Sequence, residues 1–492
     1  MNNKAIIGLS CLSHDAAIAA VVDDQIVFAS QAERYSRIKN DKFLNSSMID
    51  DMAKYIGDDY NAIFYERPLL KKARQLYSGQ YKSIISSVSP QKYIKQFPVF
   101  DSVSLKYVSH HLSHACAGYF TSTFRDAAIV IVDSIGEWET LTIWHAKDRK
   151  LKKVNSVKYP SSLGLFYSSF TQRVGFKPNE EEYIMMGMSA FGQPIYADII
   201  KQDFFANSQM PYFKLKHNMH RGIRQWRPNI HDVENIAASC QKVLEDALLE
   251  IFYWVAKNVP SKNLVYGGGV ALNCVFNQKL AKSGLFDNIW ILPEPGDAGN
   301  SIGAALAYKK DWIEWKGPYL GYDINRELDI DSALSALLNG EIIGIANGRA
   351  EFGPRALGNR SLLADPRGDH IKNKVNNIKK RELFRPFAPI ILEEHATKYF
   401  DLPYFTSPYM QFVADCKKPT EIPAVCHVDG TSRVQTLRED QNPIFYKLLK
   451  KFYNATGCPI LLNTSLNIKG EPLVNTWDDA QRFGALHNIS IF

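Results

Sequence analysis

The sequence has no apolar run long enough to cross a membrane, and its first residues lack the pattern of a secretory signal peptide. Cysteine is scarce as well: seven residues are scattered along the chain without a Cys-x-x-Cys pair. An odd, dispersed set of cysteines argues against a disulfide framework and is typical of a reducing compartment. We therefore expect a cytoplasmic protein with no membrane partner.

Acidic residues are missing from two stretches of this chain, whose formal net charge is +7. The first stretch, between Arg67 and Phe100, carries seven Lys or Arg residues and several tyrosines. The second lies between Phe204 and Ile230. Its basic residues, beside Trp226, are Lys214, Lys216, Arg221, Arg224 and Arg227. Basic side chains mixed with aromatics can follow a phosphate backbone and stack on bases. The stretches therefore suggest DNA as a partner, while solvated faces or contacts to a nucleotide cosubstrate are the alternatives.

The length and the pattern of elements predict an α/β protein with more than one domain. A chain of 492 residues can bury two or more cores. Lys4–Leu9, Asp15–Val22 and Gln25–Ser30 have the pattern of strands, and Asp23 with Asp24 is a hairpin signal. A strand–turn–strand start with a small polar loop is typical of the phosphate-binding lobe of actin-like folds. His14 lies in that loop.

The stretch from Tyr107 to Trp138 carries the first candidate metal ligands. His110 and His114 are four residues apart, so a helix would place them on one face, within reach of one ion. The apolar run that follows predicts a buried strand, and Asp133 closes it. In open α/β sheets the carboxyl end of a strand is where ligands bind. The alternative is a surface helix with a hydrophobic strand behind it, since paired histidines at this spacing are common by chance.

Two glycine-rich turns follow later in the chain. The segment NLVYGGGVALN predicts a strand and a helix start around Gly267, Gly268, Gly269 and Asn273, where backbone N–H groups can approach a nucleotide. Another apolar strand leads to a second carboxylate at Asp297. Together with the two histidines and Asp133, this residue would offer a divalent ion two nitrogens and two oxygens and leave positions open for phosphate oxygens.

The segment Tyr319–Glu327 predicts a linker between domains at residues 1–320 and 329–492. The second domain places cations and amides at turns beside apolar strands. These residues are Arg355, Lys379, Arg385, Arg433, Asn463 and Ser465. Because paired arginine contacts suit phosphate and carboxylate groups, we expect an anion pocket. Surface ion pairs are the alternative, but these cations lie among Gly, Pro and apolar residues.

Several long blocks resemble the O-carbamoyltransferases that modify antibiotics and nodulation factors. EFGPRALGNRSLLADPR, KKRELFRPFAP, HVDGTSRVQT and LLNTSLNIKGEP are similar to the carboxyl-terminal half of that family, and HHLSHA, GGGVALN and GDAG to its amino-terminal half. The resemblance implies an actin-like (ASKHA) domain, related to the tRNA threonylcarbamoyl transferases, followed by a YrdC-like α/β domain. It also implies a homodimer.

The resemblance further implies a two-step reaction with ATP and carbamoyl phosphate. The YrdC-like domain would form carbamoyl-adenylate, with carbamoyl phosphate held by Arg355, Lys379, Arg385, Arg433, Asn463 and Ser465. The actin-like domain would then pass the carbamoyl group to an acceptor hydroxyl near His14. The implied metal ligands are His110, His114, Asp133 and Asp297, with iron, or else magnesium or manganese, as the ion.

Two positions depart from the family pattern, and the acceptor stays open. Ile184 stands where the family usually has Lys, and Ser134 stands where it has Gly. The basic aromatic stretches suggest a 5-hydroxymethylpyrimidine base in DNA as acceptor, with a small sugar or natural product as the alternative. A tRNA threonylcarbamoyl-type enzyme and an actin-like nucleotide-binding regulator are the other classes to separate.

Overall fold

The computed structural model describes residues 4–81, 88–206, 210–404 and 406–492. The chain divides into two compact units. The first comprises Met1–Ala32, Asn40–Asn273 and Ser283–Trp315, and the second comprises Glu33–Lys39, Cys274–Lys282 and Lys316–Phe492. Within the described ranges, no helix combines the length and the apolar character needed to span a bilayer.

The first unit contains two five-stranded sheets. The strands of the first sheet are β1 (Ala5–Ser10), β2 (Ala17–Val22), β3 (Gln25–Gln31), β4 (Tyr60–Phe64) and β5 (Lys106–Tyr107). Those of the second sheet are β6 (Asp126–Gly136), β7 (Glu139–Lys147), β8 (Lys150–Lys158), β9 (Asn263–Gly267) and β10 (Asn288–Trp290). The three strands expected at the start of the chain are confirmed, with Asp23 in the left-handed region of the hairpin turn.

The two sheets share one topology, which identifies the fold. The strand orders are β3-β2-β1-β4-β5 and β8-β7-β6-β9-β10. In each sheet the first three strands form an antiparallel meander. The last two then continue parallel to the first. A parallel neighbour requires a crossover connection, which the intervening helices supply. This duplicated sheet is the core of an actin-like domain, as the sequence predicted.

The helices of the first unit fill the connections and cover the sheets. They are α1 (Ser46–Ala53), α2 (Pro68–Tyr77), α3 (Pro90–Ile94), α4 (His110–Tyr119), α5 (Leu163–Arg173), α6 (Glu182–Met188), α7 (Ala197–Phe204), α8 (Val233–Asn258) and α9 (Asn300–Lys309). Helix α4 is buried along almost its whole length, so the surface-helix alternative for the paired histidines is wrong. Helices α4 and α9 meet at Gly303, where a Cβ atom would lie 2.0 Å from the carbonyl oxygen of Ser113.

The second unit is a mixed α/β structure, as expected for a YrdC-like domain. Its strands are β11 (Tyr319–Ile324), β12 (Ile343–Ala346), β13 (Gly348–Glu351), β14 (Arg360–Ala364), β15 (Ala388–Leu392), β16 (Phe400–Asp401), β17 (Val413–Cys416), β18 (Thr431–Arg433), β19 (Gln435–Leu437), β20 (Ile460–Ser465) and β21 (Ser490–Ile491). The central sheet has the order β19-β15-β20-β14-β12-β21. Its strands β14, β15 and β20 are almost fully buried, because helices cover them.

The helices of this unit include α10 (Ile330–Leu338), α11 (Ile371–Ile378), α12 (Ala396–Tyr399), α13 (Pro443–Thr456) and α14 (Trp477–His487). Two further helices come from earlier in the chain, Glu33–Ser36 and Cys274–Lys282. The predicted linker is wrong in one respect: Tyr319–Ile324 forms β11 and pairs antiparallel with β13. The sequence suggested a linker here because Gly and Asp, which favour turns, stand next to the aromatic residues of this segment.

The close approach at Gly303 gives a test of the packing between α9 and α4, the helix that carries the two histidines. Gly303→Ala should lower the free energy of unfolding by about 1–3 kcal/mol, because the added methyl group must displace α9 from α4. Gly57→Ala is the matched control, since a Cβ there meets nothing within 4 Å. Urea unfolding of both variants measures the effect. Equal midpoints for the two variants would contradict this packing.

Candidate functional site

Four buried ligand atoms converge in the first unit, all within 4.8 Å of one another. On α4, the Nε2 atoms of His110 and His114 are 3.2 Å apart. Oδ1 of Asp297 lies 3.2 Å from the first of these nitrogens and 3.3 Å from the second. Oδ2 of Asp133 lies 3.4 Å from Nε2 of His110. The structure therefore brings together the four residues that the sequence singled out.

The spacing of these atoms fits a divalent metal ion. An ion bound by nitrogen and oxygen at about 2.0–2.1 Å separates neighbouring ligand atoms by about 2.9–3.4 Å in octahedral or tetrahedral geometry. Burial raises the pKa of Asp297, but the charges and hydrogen bonds of His110 and His114 outweigh it and hold the pKa well below its usual value. Two buried carboxylates so close together need compensating positive charge, from protons or from a metal.

The local structure of the two aspartates explains their positions. The sequence predicted that strand β6 ends at Asp133, and this is wrong. The strand continues to Gly136 with an irregular register after Val132. Asp133 lies within this irregular stretch, and such irregularities re-aim side chains in β-strands. Asp297 is not at a strand end either: β10 ends at Trp290, and the carboxylate stands in a short turn before α9. The position of Asp297 is therefore set by the buried loop around it and not by the register of a strand.

Glycines make room for the cluster and brace it. A Cβ atom on Gly136 would lie 2.2 Å from Cδ2 of His110. The backbone N–H of Gly269 donates to Oδ1 of Asp133 at 3.1 Å, which leaves Oδ2 for the histidine side. Gly268 has φ +86°, and a Cβ there would lie 2.2 Å from the carbonyl oxygen of Val132. The close approach of this turn to β6 therefore requires glycine.

Asn273 and Gly267 complete that turn. The amide of Asn273 forms a reciprocal pair with Gln241 on α8, at 3.0 and 3.1 Å. Gly267 ends β9 and packs on Ile131. These contacts position the glycine turn beside the cluster. The nucleotide contacts predicted for Gly267, Gly268, Gly269 and Asn273 stay predictions.

His14 lies at the edge of the cluster and is half-exposed. Its Nε2 atom is 3.5 Å from Oδ2 of Asp297, and its Nδ1 atom is 3.0 Å from Oδ2 of Asp15. Desolvation lowers the pKa of His14, but the hydrogen bond to Asp15 and the charge of Asp297 outweigh it and raise the pKa to about 9. Leu12 and Asp15 both have positive φ, so the loop is held in a strained conformation.

Asn300 is a neighbour of the cluster that sequence reasoning missed. Its Nδ2 atom is 3.0 Å from Nε2 of His114, and its Oδ1 atom has no hydrogen-bond partner in the described part of the chain. Since the two ends of an amide can be exchanged by rotation, this side chain offers the cluster either a donor or an oxygen. The signal was present: Asn300 follows Asp297 by three residues, about one turn, at the start of α9.

Three arginines of the second unit are electrostatic neighbours. Burial lowers the pKa of Arg433, and the charges of Arg355 and Arg385 add to the fall, which reaches about 9. Nε of Arg433 has no hydrogen-bond partner within the described ranges, and Nη2 contacts only the sulfur of Met410, at 3.9 Å. A bound anion would stabilise a partly buried cation whose pKa is lowered by neighbouring positive charges.

A hydrogen-bond network joins Asn463 to the loop that carries Arg355. Nδ2 of Asn463 donates to Oε1 of Gln435 at 2.7 Å and to the carbonyl of Ala356 at 3.2 Å. Gln435 in turn donates to the carbonyl of Leu357 at 3.0 Å. Oδ1 of Asn463 is buried and has no partner among the described residues. This oxygen therefore remains available to accept a hydrogen bond close to that loop.

Lys379 and Ser465 differ from the expectation of a direct ligand contact. The buried ammonium of Lys379 donates to the carbonyl of Ser465, to its hydroxyl at 3.1 Å, and to the carbonyl and side chain of Asn467 at 2.7 and 3.0 Å. Burial and the charges of Arg381 and Arg385 hold its pKa well below the usual value. All its donors are used within the protein, and these bonds brace the end of β20. The contacts to carbamoyl phosphate predicted for Lys379 and Ser465 stay predictions.

The two departures from the family pattern lie near the cluster's supporting elements. Ile184 is fully buried on α6. Ser134 follows Asp133, and its carbonyl accepts a hydrogen bond from the hydroxyl of Ser162 at 2.7 Å. A Cβ atom on Gly164 would lie 2.7 Å from the nitrogen of Ser134. This segment is therefore packed tightly by α5 whichever small residue stands there.

The acid-free stretches are less basic in the fold than in the sequence. Ion pairs with acids outside the stretches join Arg67 to Glu137 at 2.9 Å, Lys71 to Glu66 at 2.7 Å and Arg227 to Asp203 at 3.0 Å. Trp226 is half-buried and packs on Phe170 and Phe204. Arg221 and Arg224 are exposed and form no ion pair within the described residues. Lys82 lies outside the residues that the structure describes.

An actin-like domain with this cluster, followed by an α/β unit with buried arginines, defines the class, and sequence comparison gives the family. The profile described as the carbamoyltransferase N-terminus matches residues 44–306, and the profile described as the carbamoyltransferase C-terminus matches residues 334–492. The chain belongs to the carbamoyltransferase family.

Individual relatives agree with this assignment. An uncharacterized protein of Synechocystis is 34% identical over 97% of this chain and 93% of its own length. Nodulation protein NolNO of Sinorhizobium fredii is 32% identical over 95% of this chain and 76% of that protein. The 3'-hydroxymethylcephem-O-carbamoyltransferase of Amycolatopsis lactamdurans is 29% identical over 97% of this chain and 96% of its own.

The metal assignment predicts a specific loss. In His110→Ala or His114→Ala the bound metal should fall to background, because the remaining carboxylates and one imidazole hold a divalent ion far more weakly. His145→Ala is the control, since this half-buried histidine pairs with Asp126 away from the cluster. Metal content is measured by mass spectrometry after dialysis, with circular dichroism to confirm folding. Full metal content in the double variant His110→Ala/His114→Ala would contradict the assignment.

Proposed function

We propose that this chain is an ATP-dependent O-carbamoyltransferase that moves the carbamoyl group of carbamoyl phosphate, through carbamoyl-adenylate, to an acceptor hydroxyl. The observation that carries the proposal is the buried cluster of His110, His114, Asp133 and Asp297, with His14 at its edge, in a chain of the carbamoyltransferase family. The lowering of the pKa of Arg433 by burial and by the charges of Arg355 and Arg385, in the second unit, supports the same reaction.

The first step belongs to the second unit. Arg355, Arg385 and Arg433 would bind the phosphate of carbamoyl phosphate and stabilise the charge on the phosphate as it departs. Oδ1 of Asn463 would accept a hydrogen bond from the carbamoyl NH2 group, which needs a partner when buried. Hydrolysis by one water molecule would release the phosphate and leave carbamate. An oxygen of the carbamate would then attack the α-phosphorus of ATP, so that pyrophosphate leaves and carbamoyl-adenylate forms.

The second step belongs to the first unit. Once His14 has lost the proton that Asp15 and Asp297 stabilise, its neutral imidazole would take the proton of the acceptor hydroxyl. The hydroxyl oxygen would attack the carbamoyl carbon, and AMP would leave. The pairing of His14 with Asp15 fixes the orientation of the ring. A divalent ion held by the four ligands would supply positive charge for the phosphate oxygens of the nucleotide. Iron is the ion that the family resemblance favours.

For the acceptor we propose a hydroxymethyl group on a pyrimidine base in DNA. The name of the cephem enzyme places a hydroxymethyl group in its own acceptor, and a 5-hydroxymethylpyrimidine carries the same group. Arg221 and Arg224 are exposed and available to phosphates of a backbone. To present such a base from a duplex, the protein would flip it out or act on single strands.

A small sugar or natural product is the second candidate acceptor. Two observations favour it. The ion pairs of Arg67, Lys71 and Arg227 neutralise much of the apparent basic surface. The cephem relative is named for a small-molecule acceptor. In either case the chemistry at His14 and the cluster is the same, so only the groups that hold the acceptor differ.

The division of labour predicts that the two steps can be separated. Arg433→Met or Arg385→Met should reduce the use of carbamoyl phosphate by about 100-fold or more, since each removes a charged donor to the departing phosphate. Transfer from pre-made carbamoyl-adenylate should be retained. Arg438→Met, which removes an exposed arginine paired with Asp440, is the control. Equal loss of both activities in a folded variant would argue against two separate sites.

The DNA acceptor predicts salt-sensitive binding that depends on exposed arginines. Arg221→Glu with Arg224→Glu should weaken DNA binding by about tenfold or more at low salt, because phosphate contacts dominate such binding. The formation of carbamoyl-adenylate should be unchanged. Lys150→Glu with Lys152→Glu is the matched control, since these exposed residues lie at the end of the sheet opposite to Asp133.

Modification itself is measured on DNA that contains 5-hydroxymethylcytosine or 5-hydroxymethyluracil. The protein is supplied with carbamoyl phosphate and ATP, and the digested nucleosides are weighed by mass spectrometry. A nucleoside that gains the mass of one carbamoyl group supports the DNA acceptor. No gain, together with binding that is insensitive to salt, would assign the acceptor to the small-molecule class.

A further inference from the structure

Three cationic side chains lie on one face of α2, and only two of them form an ion pair with a carboxylate. Arg67 precedes the helix, and Lys71 and Arg74 follow four and seven residues later, which places all three on the same side. Arg67 makes a two-point ion pair with Glu137, at 2.9 and 3.3 Å. The ammonium of Lys71 is 2.7 Å from Oε1 of Glu66. The third cation has no such partner.

Arg74 is 6% exposed, and its side chain forms no hydrogen bond or ion pair with any residue in the described part of the chain. Its Nε atom is fully buried without a partner. One aromatic ring, that of Tyr159, lies at 6.0 Å from the guanidinium carbon, the far limit of a cation–π contact. Burial lowers the pKa of Arg74, and Glu66, the carboxylate whose charge opposes this lowering, is already bound to Lys71. A buried, uncompensated guanidinium destabilises the fold unless an anion binds it.

The groups around Arg74 supply polar and aromatic surfaces but no second acid. The imidazole of His220 is close enough for Arg74 to lower its pKa, in addition to the lowering by burial. The amide of Gln80 is 3.4 Å from the ring nitrogens of His220. Tyr77, one turn after Arg74, contacts the ring of Trp138 at 5.4 Å. Thus the two acid-free stretches, distant in sequence, meet at this arginine.

This arginine stands on the helix that starts beside the metal cluster. Glu137, the partner of Arg67, directly follows Gly136, whose Cα hydrogen faces the ring of His110. Arg74 lies seven residues beyond Arg67, about 10 Å further along the helix. An acceptor whose hydroxyl reached the cluster would have to span this length of α2 to meet Arg74.

We infer that Arg74 binds an anionic group, a phosphate or a carboxylate, of the hydroxyl acceptor. The inference rests on the proposed function, because the cluster must first be the transfer site. The guanidinium presents two parallel N–H groups, which match either anion. His220 and Gln80 add neutral donors at its edge. The acceptor class is then an acidic hydroxyl compound, of which a nucleotide and a carboxylated sugar or natural product are the two sources.

The experiment uses a reporter that lies at the site itself. The full chain is prepared with 13C-labelled histidine, and the ring signal of His220 is assigned by its loss in His220→Asn. Inorganic phosphate and acetate are titrated separately. The signal should move saturably with at least one anion, and Arg74→Met should weaken that binding by about tenfold or more. Lys152→Met, which removes an exposed remote lysine, should respond as the unaltered chain does.

Two further variants keep the outcome unambiguous. Arg433→Met should leave the response of His220 unchanged, which separates this site from phosphate bound in the second unit. If Arg74→Met does not fold, Arg74→Lys decides: a lysine binds phosphate as a point charge but loses the paired bonds to carboxylate, so acetate binding should weaken more than phosphate binding.

A preference for phosphate points to a nucleotide acceptor, and a preference for acetate points to a carboxylated one. The inference is overturned if neither anion moves the His220 signal saturably, or if replacing Arg74 changes neither affinity. This readout needs no carbamoyl transfer. Its failure therefore removes only the anion subsite, whereas the absence of AMP and pyrophosphate from reactions with carbamoyl phosphate and ATP would remove only the proposed function.

Discussion

The repulsion between two buried carboxylates is the constraint on which the first unit depends. Asp133 and Asp297 lie 164 residues apart in the numbering yet approach the same imidazole, that of His110, at 3.4 and 3.2 Å. Such an arrangement persists only where positive charge is supplied at that point. The irregular register of β6 and the contact of α4 with α9 at Gly303 exist around this centre, since they set the positions of its ligands. The fold therefore holds two carboxylates at a place where a bound cation would stabilise them.

The second unit follows the same rule with the opposite sign. Burial and the charges of Arg355 and Arg385 lower the pKa of Arg433. The ammonium of Lys379, by contrast, donates to four oxygen atoms of the protein. This contrast separates a first kind of cation, Lys379, which holds the structure together, from a second kind, Arg433, whose Nε atom has no hydrogen-bond partner among the described residues. Arg74 in the first unit belongs with the second kind. Counting hydrogen bonds to each buried cation is therefore more informative than counting cations.

The sequence revealed the candidate ligands more reliably than the contacts that hold them. His110 and His114 could be found because helical spacing is local, and the first three strands because apolar patterns and turn residues are local. Asn300 was missed because its importance depends on contact with His114, 186 residues away along the chain. The neutralisation of Arg67 by Glu137 and the pairing of β11 with β13 are tertiary effects of the same kind. The sequence around Lys379 suggests an anion ligand. Its hydrogen bonds to Ser465 and Asn467, which brace the end of β20, could be seen only in the structure.

The central claim is that carbamoyl-adenylate links the two units' chemistry. It is tested most directly by mixing the purified protein with carbamoyl phosphate and labelled ATP and separating the products. The account predicts AMP and pyrophosphate, formed only when carbamoyl phosphate is present, because the carbamate attacks the α-phosphorus of ATP. ADP and phosphate as the products, or ATP left intact while the metal cluster is loaded, would contradict it.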